Sequence, residues 1–445
     1  MAVDRPALVA WYRKNRARSR ALFDLLAEEA YYSQPIALRH PIVFYEGHLP
    51  GFSFNALVKK GLGRPSIDAN LEALFARGID PHESGAGAAG GAGGSSGSGG
   101  PGQWPSRDVV HQFADEADRQ VIEALLNADI EQPGHPMLDR AEAVFTILEH
   151  EAMHQETLLY MWHRLPFEQK RRPADYTPSV GGTPAPAEWI PIPAGCATLG
   201  VQRGSIPFAW DNECPALGIE VPAFAIERHD VTCGRFLEFV DAGGYRDAAW
   251  WRPEDWQWVQ REGIAHPLFW ERHDGRWHWR GMFGLIPLPL AWPVCVSQAE
   301  ASAYARWSGA RLPTEAEFQR AAFGSPAGER AHPWGDAEPT AAHGVFDFSS
   351  WEPQAAGSHS SGASAWGVQD MVGNGWEWTS TVFGPFPGFR PMPSYLEYSA
   401  DFFDGDHFVM KGASPATARE LLRPTFRNWF RARYPYVYAT FRCAR

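Results

Sequence analysis

Cysteine is scarce in this chain, and the few cysteines present are not spaced for disulfides or for a zinc ribbon. The 445 residues contain five cysteines, an odd number, and none of them form a C-x-x-C pair. This pattern argues against a disulfide-stabilised secreted scaffold and predicts a reducing, cytoplasmic environment. The first residues, MAVDRP, lead into a charged helical pattern without the apolar core of a signal peptide, which favours the same compartment.

Long apolar runs and an excess of basic residues are also missing. No stretch approaches the length of a membrane span, so a membrane is not an expected partner. The formal net charge is −12, which argues against nucleic acid and anionic membranes as partners. The composition, 44% hydrophobic and 21% charged, is typical of a globular protein, and the length predicts roughly two or three domains with cores of their own.

The first part of the chain, residues 1–170, has the pattern of an α-helical bundle. Apolar residues recur at helical spacing in four segments, predicted at about 5–32, 41–60, 106–128 and 137–165. Pro50 predicts a kink or break in the second segment, and Ser106 predicts a cap for the third. Residues 84–102 are a run of Gly, Ala and Ser to which we assign no structure. Four long helices predict an up-and-down bundle, and such bundles commonly hold metal sites in their cores.

The pattern of residue types changes after residues 171–188, which are rich in Pro, Gly and Thr and are predicted to be a linker. Residues 189–445 combine short strand-like segments, many Gly, Pro and Trp residues, and few long helices. A helix is predicted at about 314–323, opened by a capping box of Thr314 and Glu317. This part of the chain is predicted to be a loop-rich α+β domain.

The pattern most specific for chemistry is HEAMHQE at residues 150–156. His150 and His154 are four residues apart in the predicted fourth helix, so both imidazoles project from one face and can reach one metal ion. Imidazole suits zinc, iron, copper and nickel. His48 in the predicted second helix is the favoured third ligand, and His40 is a rival for that place. Three protein nitrogens leave coordination positions for water, substrate or dioxygen, as a catalytic metal requires.

The same residues also spell H-E-x-x-H, the signature of zinc proteases. The longer form of that signature requires Gly and His three and six residues beyond the second histidine, where this chain has Thr157 and Tyr160. The shorter form requires a glutamate ligand on a following helix, but a linker rich in Pro and Gly follows instead. A helical bundle is also the wrong context, so the protease is the less favoured interpretation.

Three strings in the second half carry a family resemblance. ARLPTEAE at 310–317, HPWGD at 332–336 and GVQDMVGNGWEWT at 367–379 occur in this order, as in the formylglycine-generating-enzyme domain, which has a C-type-lectin-like fold. Behind a bundle with the histidine trio (His48, His150 and His154), they make nearly the whole chain resemble the ergothioneine-type sulfoxide synthases. The resemblance implies an α+β protein: a DinB-like four-helix bundle followed by a formylglycine-generating-enzyme-type, C-type-lectin-like domain.

The resemblance also implies a reaction. Members of this family bind Fe(II) through three histidines and use O2 to join sulfur or selenium to C2 of the imidazole of hercynine (Nα-trimethylhistidine). By position, the histidine trio would hold the iron, and the protein would be an oxidoreductase that forms a carbon–chalcogen bond. Hercynine, O2 and a selenium or sulfur donor are therefore the expected small-molecule partners, and Fe(II) is the expected cofactor.

The substrate residues implied by the family lie near the C-terminus. Arg427, Asn428 and Trp429 match its hercynine-contacting Arg-Asn-Trp segment, and a quaternary ammonium should be recognised by aromatic faces and polar oxygens. Family members that use γ-glutamylcysteine carry an acid and an arginine where this chain has Phe430 and Tyr434. A charged donor facing two aromatic rings would be costly to desolvate, whereas a neutral sugar can pack its C–H faces on them. The favoured donor is therefore a selenosugar, as in the selenoneine-synthase branch.

A catalytic tyrosine, which sulfoxide synthases use near the iron, is missing at the places where the family has it. After the Phe-Asn at 54–55 the chain continues ALV rather than with a tyrosine pair, and the loop at 379–384 reads TSTVFG. Tyr434, Tyr436 and Tyr438 near the C-terminus are therefore the candidates for this hydroxyl.

Several alternatives remain open. A sulfoxide synthase that uses cysteine or another thiol is the first, and a non-catalytic lectin-like binding module is an alternative of another class. Enzymes of the ovothiol route usually carry a methyltransferase domain, of which the sequence shows no sign. A formylglycine-generating oxidase needs a pair of copper-binding cysteines, whereas the last third of the chain contains only Cys443.

Overall fold

The computed structural model describes residues 3–76 and 104–445, so the insert predicted at 84–102 lies outside the described residues. The chain divides into two compact units. The first comprises Met1–Pro173 together with Pro393–Tyr395, and the second comprises Ala174–Met392 and Leu396–Arg445. No feature of the sequence indicates that Pro393–Tyr395 would belong to the first unit.

The first unit is α-helical. Its helices are α1 (Arg5–Phe23), α2 (Ile42–Ser53), α3 (Ala69–Leu74), α4 (Arg107–Asn127) and α5 (Glu142–Arg164). The four long helices confirm the prediction, whereas the short α3 was not predicted. The predicted first helix was too long, because Leu26 forms an isolated β-bridge with Lys170 and is buried by that pairing rather than on a helical face.

Helix α2 is the most deeply buried of these helices. It runs through Pro50 without a break, and Phe54–Gly61 continue it as a π-helix. Proline cannot donate a backbone hydrogen bond, and its ring crowds the carbonyl four residues earlier. The predicted kink therefore takes the form of a change in helical register one turn after Pro50. Such π-helical segments often lie beside functional sites.

The core of the bundle is formed by apolar side chains of α1, α4 and α5 and of the π-helix that continues α2. Tyr12, Leu57, Val121 and Ile147 are completely buried there. Each fully buried aliphatic side chain stabilises the fold by about 1.5–3 kcal/mol relative to exposure. This packing fixes α2 against α5, the two helices that carry the histidine trio.

The second unit combines short helices with several small sheets. Its helices are α6 (Cys233–Asp241), α7 (Pro253–Glu262), α8 (Gln298–Trp307) and α9 (Glu315–Phe323). Its strands are β1 (Trp189–Ile192), β2 (Gly195–Leu199), β3 (Leu217–Val221), β4 (Phe224–Glu227), β5 (Trp270–His273), β6 (Arg276–Arg280), β7 (Leu285–Pro287), β8 (Gly324–Ser325), β9 (Gly328–Glu329), β10 (Gly375–Val382), β11 (His407–Ala413), β12 (Asn428–Arg431) and β13 (Ala439–Thr440).

Helix α9 begins as the sequence predicts. The Thr314 hydroxyl accepts the Glu317 N–H at 3.1 Å, and the Glu317 carboxylate accepts the Thr314 N–H at 2.8 Å. This reciprocal pair confirms the predicted capping box. Within the described residues, no helix is both long enough and apolar enough to cross a membrane.

The largest sheet of the second unit carries the predicted substrate segment on its edge. Its strand order is β12-β11-β10-β13; β10 pairs antiparallel with β11 and parallel with β13, and β11 pairs antiparallel with β12. In β12, Asn428 lies opposite Met410, and Trp429 lies opposite Val409. Every residue of this edge strand is half-buried, so its side chains remain accessible to a ligand.

Candidate metal centre and substrate surface

Three histidines from two helices converge in the first unit. His48 of α2 and His150 and His154 of α5 each offer one ring nitrogen, and these three atoms lie within 4.8 Å of one another. The ring centroids of His48 lie 5.1 Å from those of both other histidines, and the α5 pair is 4.2 Å apart. His40, the rival third ligand, is not part of this group and stacks on Phe44 at 4.1 Å.

Backbone carbonyls orient two of the three imidazoles. Nδ1 of His48 lies 2.7 Å from the carbonyl oxygen of Phe75, and Nδ1 of His154 lies 3.1 Å from that of His150. Donation of an N–H from Nδ1 leaves Nε2 as the atom with a lone pair for a metal. Nε2 of His48 is indeed buried and has no hydrogen-bond partner among the described residues.

Phe75, the acceptor for His48, was missed by sequence reasoning. It caps the C-terminal end of α3, and its ring lies against α2 at Gly47. A Cβ atom at Gly47 would lie 2.5 Å from the Phe75 ring, so only glycine permits this approach. The adjacent residues Gly47 and His48 thus provide a candidate ligand and the small residue that admits its hydrogen-bond partner.

His150 is oriented differently from the other two. Neither of its ring nitrogens has a hydrogen-bond partner among the described residues, although both are buried. Its ring stacks on Phe52 with centroids 3.6 Å apart and planes 10° apart. Buried polar atoms without partners are costly, and a metal ion bound to one of the two nitrogens would offset part of that cost. The donor set of three imidazoles therefore fits a transition-metal ion.

Burial also keeps the trio in its metal-binding protonation state. Desolvation is the main cause that lowers the pKa of His48 to about 4 and that of His154 to about 3. Desolvation, followed by the neighbouring histidines, holds the pKa of His150 well below its usual range. All three imidazoles are thus neutral at pH 7, which is the form that binds metals.

Glu151, the glutamate of the H-E-x-x-H string, points into the bundle core. It is completely buried, and its Oε1 accepts hydrogen bonds from Arg16 at 2.8 Å and from the Ser19 hydroxyl at 2.7 Å. Arg16 also forms an ion pair with Asp118. A zinc protease requires this carboxylate as a general base beside the metal. Its engagement with Arg16 argues against that chemistry.

Tyr395 is a second residue that sequence reasoning missed. It belongs to the first unit, and its ring centroid lies 6.0 Å from that of His150 and 5.1 Å from that of Phe52. The ring of Tyr45, on α2, lies 6.1 Å from that of His154. No local sequence signal connects position 395 with position 150, because the approach depends on tertiary folding.

The three tyrosines predicted as catalytic lie in the second unit. Tyr434 is buried and stacks on Phe430 at 5.2 Å, with Tyr436 edge-on to it at 4.9 Å. Tyr438 packs 6.1 Å from Phe269. Tyr434 and Tyr436 thus belong to one aromatic cluster and Tyr438 packs elsewhere, and the catalytic role of all three stays a prediction.

Asn428 and Trp429 present an ordered aromatic surface on strand β12. The Trp429 ring stacks on Phe383 at 4.3 Å, and the Tyr398 ring meets it edge-on at 5.1 Å. Oδ1 of Asn428 accepts the Trp429 N–H at 2.9 Å. Three rings and an amide are thus held together at the half-buried edge of the sheet.

Arg427 lies behind this surface rather than on it. It is only 2% exposed and forms an ion pair with Glu315 at 2.8 Å. It also donates to the backbone carbonyls of Asn212 and Gly384, and its guanidinium lies 5.1 Å over the Phe383 ring. The sequence predicts that Arg427 contacts substrate; in the structure its guanidinium is engaged beneath the aromatic surface, and the contact with substrate stays a prediction.

Comparison with known proteins agrees with this two-part organisation. Residues 12–158 match the profile of the DinB superfamily, and residues 178–445 match the profile of the sulfatase-modifying factor enzyme 1-like domain. Hercynine oxygenase of Mycolicibacterium smegmatis is 39% identical over 301 residues, which cover 64% of this chain and 67% of the relative. The chain belongs to the ergothioneine-type sulfoxide synthase family. The family and fold class implied by the sequence motifs are thereby confirmed.

Two other relatives show how much of a relative's length this chain spans. Hercynine oxygenase of Mycobacterium tuberculosis is 45% identical over 235 residues, covering 52% of this chain and 54% of the relative. Ergothioneine biosynthesis protein 1 of Schizosaccharomyces pombe is 30% identical over 471 residues, covering 97% of this chain and 55% of the relative. The chain thus spans little more than half the length of these two relatives.

Proposed function

We propose that this protein is an Fe(II)- and O2-dependent enzyme that joins a selenium or sulfur donor to the imidazole C2 of hercynine, with a selenosugar as the preferred donor. The observation that carries the proposal is the neutral histidine trio, in which one ring nitrogen of each residue lies within 4.8 Å of the other two. His48 and His150 are buried, His154 is half-buried, and neither ring nitrogen of His150 has a hydrogen-bond partner among the described residues. Relatives named hercynine oxygenase support the substrate class.

In this proposal the histidine trio holds the iron. Bound Fe(II) would supply the activation of O2. Phe75 and the α5 backbone fix two of the ligand rings, and Phe52 covers one face of the third. Because Glu151 is paired with Arg16, the carboxylate that follows His150 in sequence is directed into the bundle and compensated there.

Tyr395 is the tyrosine to which we assign proton delivery. Its ring lies beside a ligand imidazole within the same unit. The hydroxyl of a tyrosine can both donate and accept a hydrogen bond and has an ordinary pKa near 10, so it can hold a proton at neutral pH. The Tyr395→Phe variant should bind iron normally and lose most of its turnover.

The edge of the β12 sheet supports the two substrates. The half-buried Trp429 ring suits the quaternary ammonium of hercynine, which would be held by cation–π attraction worth about 0.5–2 kcal/mol. The half-buried Phe430 ring, which stacks on Tyr434, offers apolar surface where γ-glutamylcysteine would need a matching charge, and this favours a neutral sugar.

A competition assay tests the proposal. The iron-loaded enzyme is incubated with hercynine, O2 and equal concentrations of cysteine, γ-glutamylcysteine, a thiosugar and a selenosugar, and product masses are read. The expected main product is the selenosugar adduct of hercynine, absent without O2 or iron. A main product with cysteine would instead favour the alternative sulfoxide synthase, and no adduct with any donor would overturn the enzyme assignment in favour of a binding module.

A further inference from the structure

We infer that a hydrogen-bonded clamp formed by Glu142, Thr146 and Ser394 positions Tyr395 and thereby the ring of His150. The consequence for turnover rests on the proposed function, whereas the consequence for metal binding does not require hercynine. The clamp is made entirely of residues of the first unit, since Pro393–Tyr395 belong to it.

The contacts of Ser394 define the clamp. This side chain is only 7% exposed, its hydroxyl lies 2.9 Å from that of Thr146 and 3.0 Å from Oε1 of Glu142, and its N–H donates to the same carboxylate oxygen at 3.3 Å. The Thr146 hydroxyl donates its own proton to the main-chain carbonyl of Glu142 at 2.8 Å. The Ser394 hydroxyl proton is therefore shared between the carboxylate and Thr146.

The spacing on α5 explains why the clamp acts on the metal centre. Glu142, Thr146, His150 and His154 follow one another at intervals of four residues, so all four project from the same stripe of the helix. Because Ser394 is hydrogen-bonded to Glu142 and Thr146, the residue that follows it lies near His150, the next position of that stripe. Tyr395, the residue next to Ser394, accordingly packs against the His150 ring.

The ring of His150 needs support from packing because it lacks, among the described residues, the hydrogen bond that usually fixes a metal-binding histidine. Metal-binding histidines normally donate their second ring N–H to a carbonyl or carboxylate, which fixes the ring. His48 and His154 follow this rule, but His150 has no such partner among the described residues. Packing between Phe52 and Tyr395 takes its place, so releasing Tyr395 loosens one ligand of the trio.

The test uses Co(II) as the probe, because its visible spectrum reports ligand geometry without O2 or hercynine. Ser394→Ala and Thr146→Val should each lower Co(II) affinity about tenfold, at the lower end of what supporting partners of ligands contribute, and alter the visible spectrum. Ser394→Thr, which keeps the hydroxyl, should restore both. Thr157→Val makes the same substitution at a half-buried threonine on the same helix, outside the clamp; it is the control and should resemble the wild type.

Two outcomes would overturn the clamp. One is a wild-type Co(II) affinity and spectrum in both Ser394→Ala and Thr146→Val. The other is an equal loss in Thr157→Val, which would indicate general destabilisation of α5. Thermal unfolding of each apo variant identifies any that fail to fold, and Thr146→Val preserves side-chain shape for that reason. Failure of the competition assay would leave the Co(II) results intact, so the two proposals fail separately.

Discussion

The pairing of Glu151 with Arg16 yields a prediction that separates a structural carboxylate from a catalytic one. In Glu151→Ala, Arg16 would remain buried with Asp118 as its charged partner. Breaking a buried ion pair destabilises by about 3–5 kcal/mol, and the remaining partner favours the lower end, about 3 kcal/mol. The Ser19 hydroxyl also loses its acceptor, which adds about 1 kcal/mol.

A conservative substitution at Glu151 should cost less stability than its truncation to alanine. Glu151→Gln keeps a carbonyl oxygen for Arg16 or Ser19, so we expect a loss of only about 1–2 kcal/mol. Glu116→Gln is the matched control, because Glu116 pairs with Arg119 in the exposed i,i+3 arrangement on α4. Such surface pairs contribute less than about 1 kcal/mol. The expected order of destabilisation is therefore Glu151→Ala, then Glu151→Gln, then Glu116→Gln.

Urea unfolding of the apo variants measures this order, and turnover per bound iron is measured in parallel. We expect Glu151→Gln to retain most of its turnover, because the carboxylate is directed at Arg16. A Glu151→Ala variant as stable as the wild type would refute the ion-pair argument. A Glu151→Gln variant of wild-type stability but without activity would show that the carboxylate takes part in the chemistry.

Three further predictions follow from single residues. Gly47→Ala should destabilise the fold by about 1–3 kcal/mol in urea unfolding, because its Cβ would clash with the Phe75 ring. Gly51→Ala is the control and should be nearly neutral, because the nearest ring atom would lie 3.3 Å from its Cβ. Equal destabilisation by the two substitutions would contradict the clash with Phe75. Burial raises the pKa of Asp211 from 3.8 to about 6, so its stabilising contribution is complete below pH 3.8 and is lost as the pH rises through about 6. Relative to Asp211→Asn, the wild type should therefore lose about 3 kcal/mol over that interval, and parallel stability curves would refute the argument. Finally, because two trio histidines have pKa values of about 4 and about 3, Co(II) binding in equilibrium dialysis should persist at pH 6 and fail only near pH 4; loss between pH 7 and pH 6 would count against neutral, buried ligands.

The local parts of the fold and site could be predicted from the sequence. His150 and His154 are related by helical spacing, and the capping box of α9 is a pattern of four residues, so both depend on short-range geometry. The second domain is identified by short motifs that occur in a fixed order. These features need no knowledge of which segments meet in space.

The supporting contacts of the site could not be predicted in this way. The Phe75 carbonyl reaches His48 because α3 folds back onto α2, and Tyr395 reaches His150 across a separation of more than two hundred residues. Both depend on long-range packing that periodicity does not encode. The extent of α1 was also wrong, because the pairing of Leu26 with Lys170 overrides its helical spacing.

An anaerobic Fe(II) titration tests the central claim most directly. The wild type and the variants His48→Ala, His150→Ala and His154→Ala are titrated, and O2 uptake is then recorded on addition of hercynine. We expect a single Fe(II) per wild-type chain with hercynine-dependent O2 uptake, and loss of both in every variant. Full iron binding and unchanged O2 uptake in any one of the three variants would contradict the three-histidine centre.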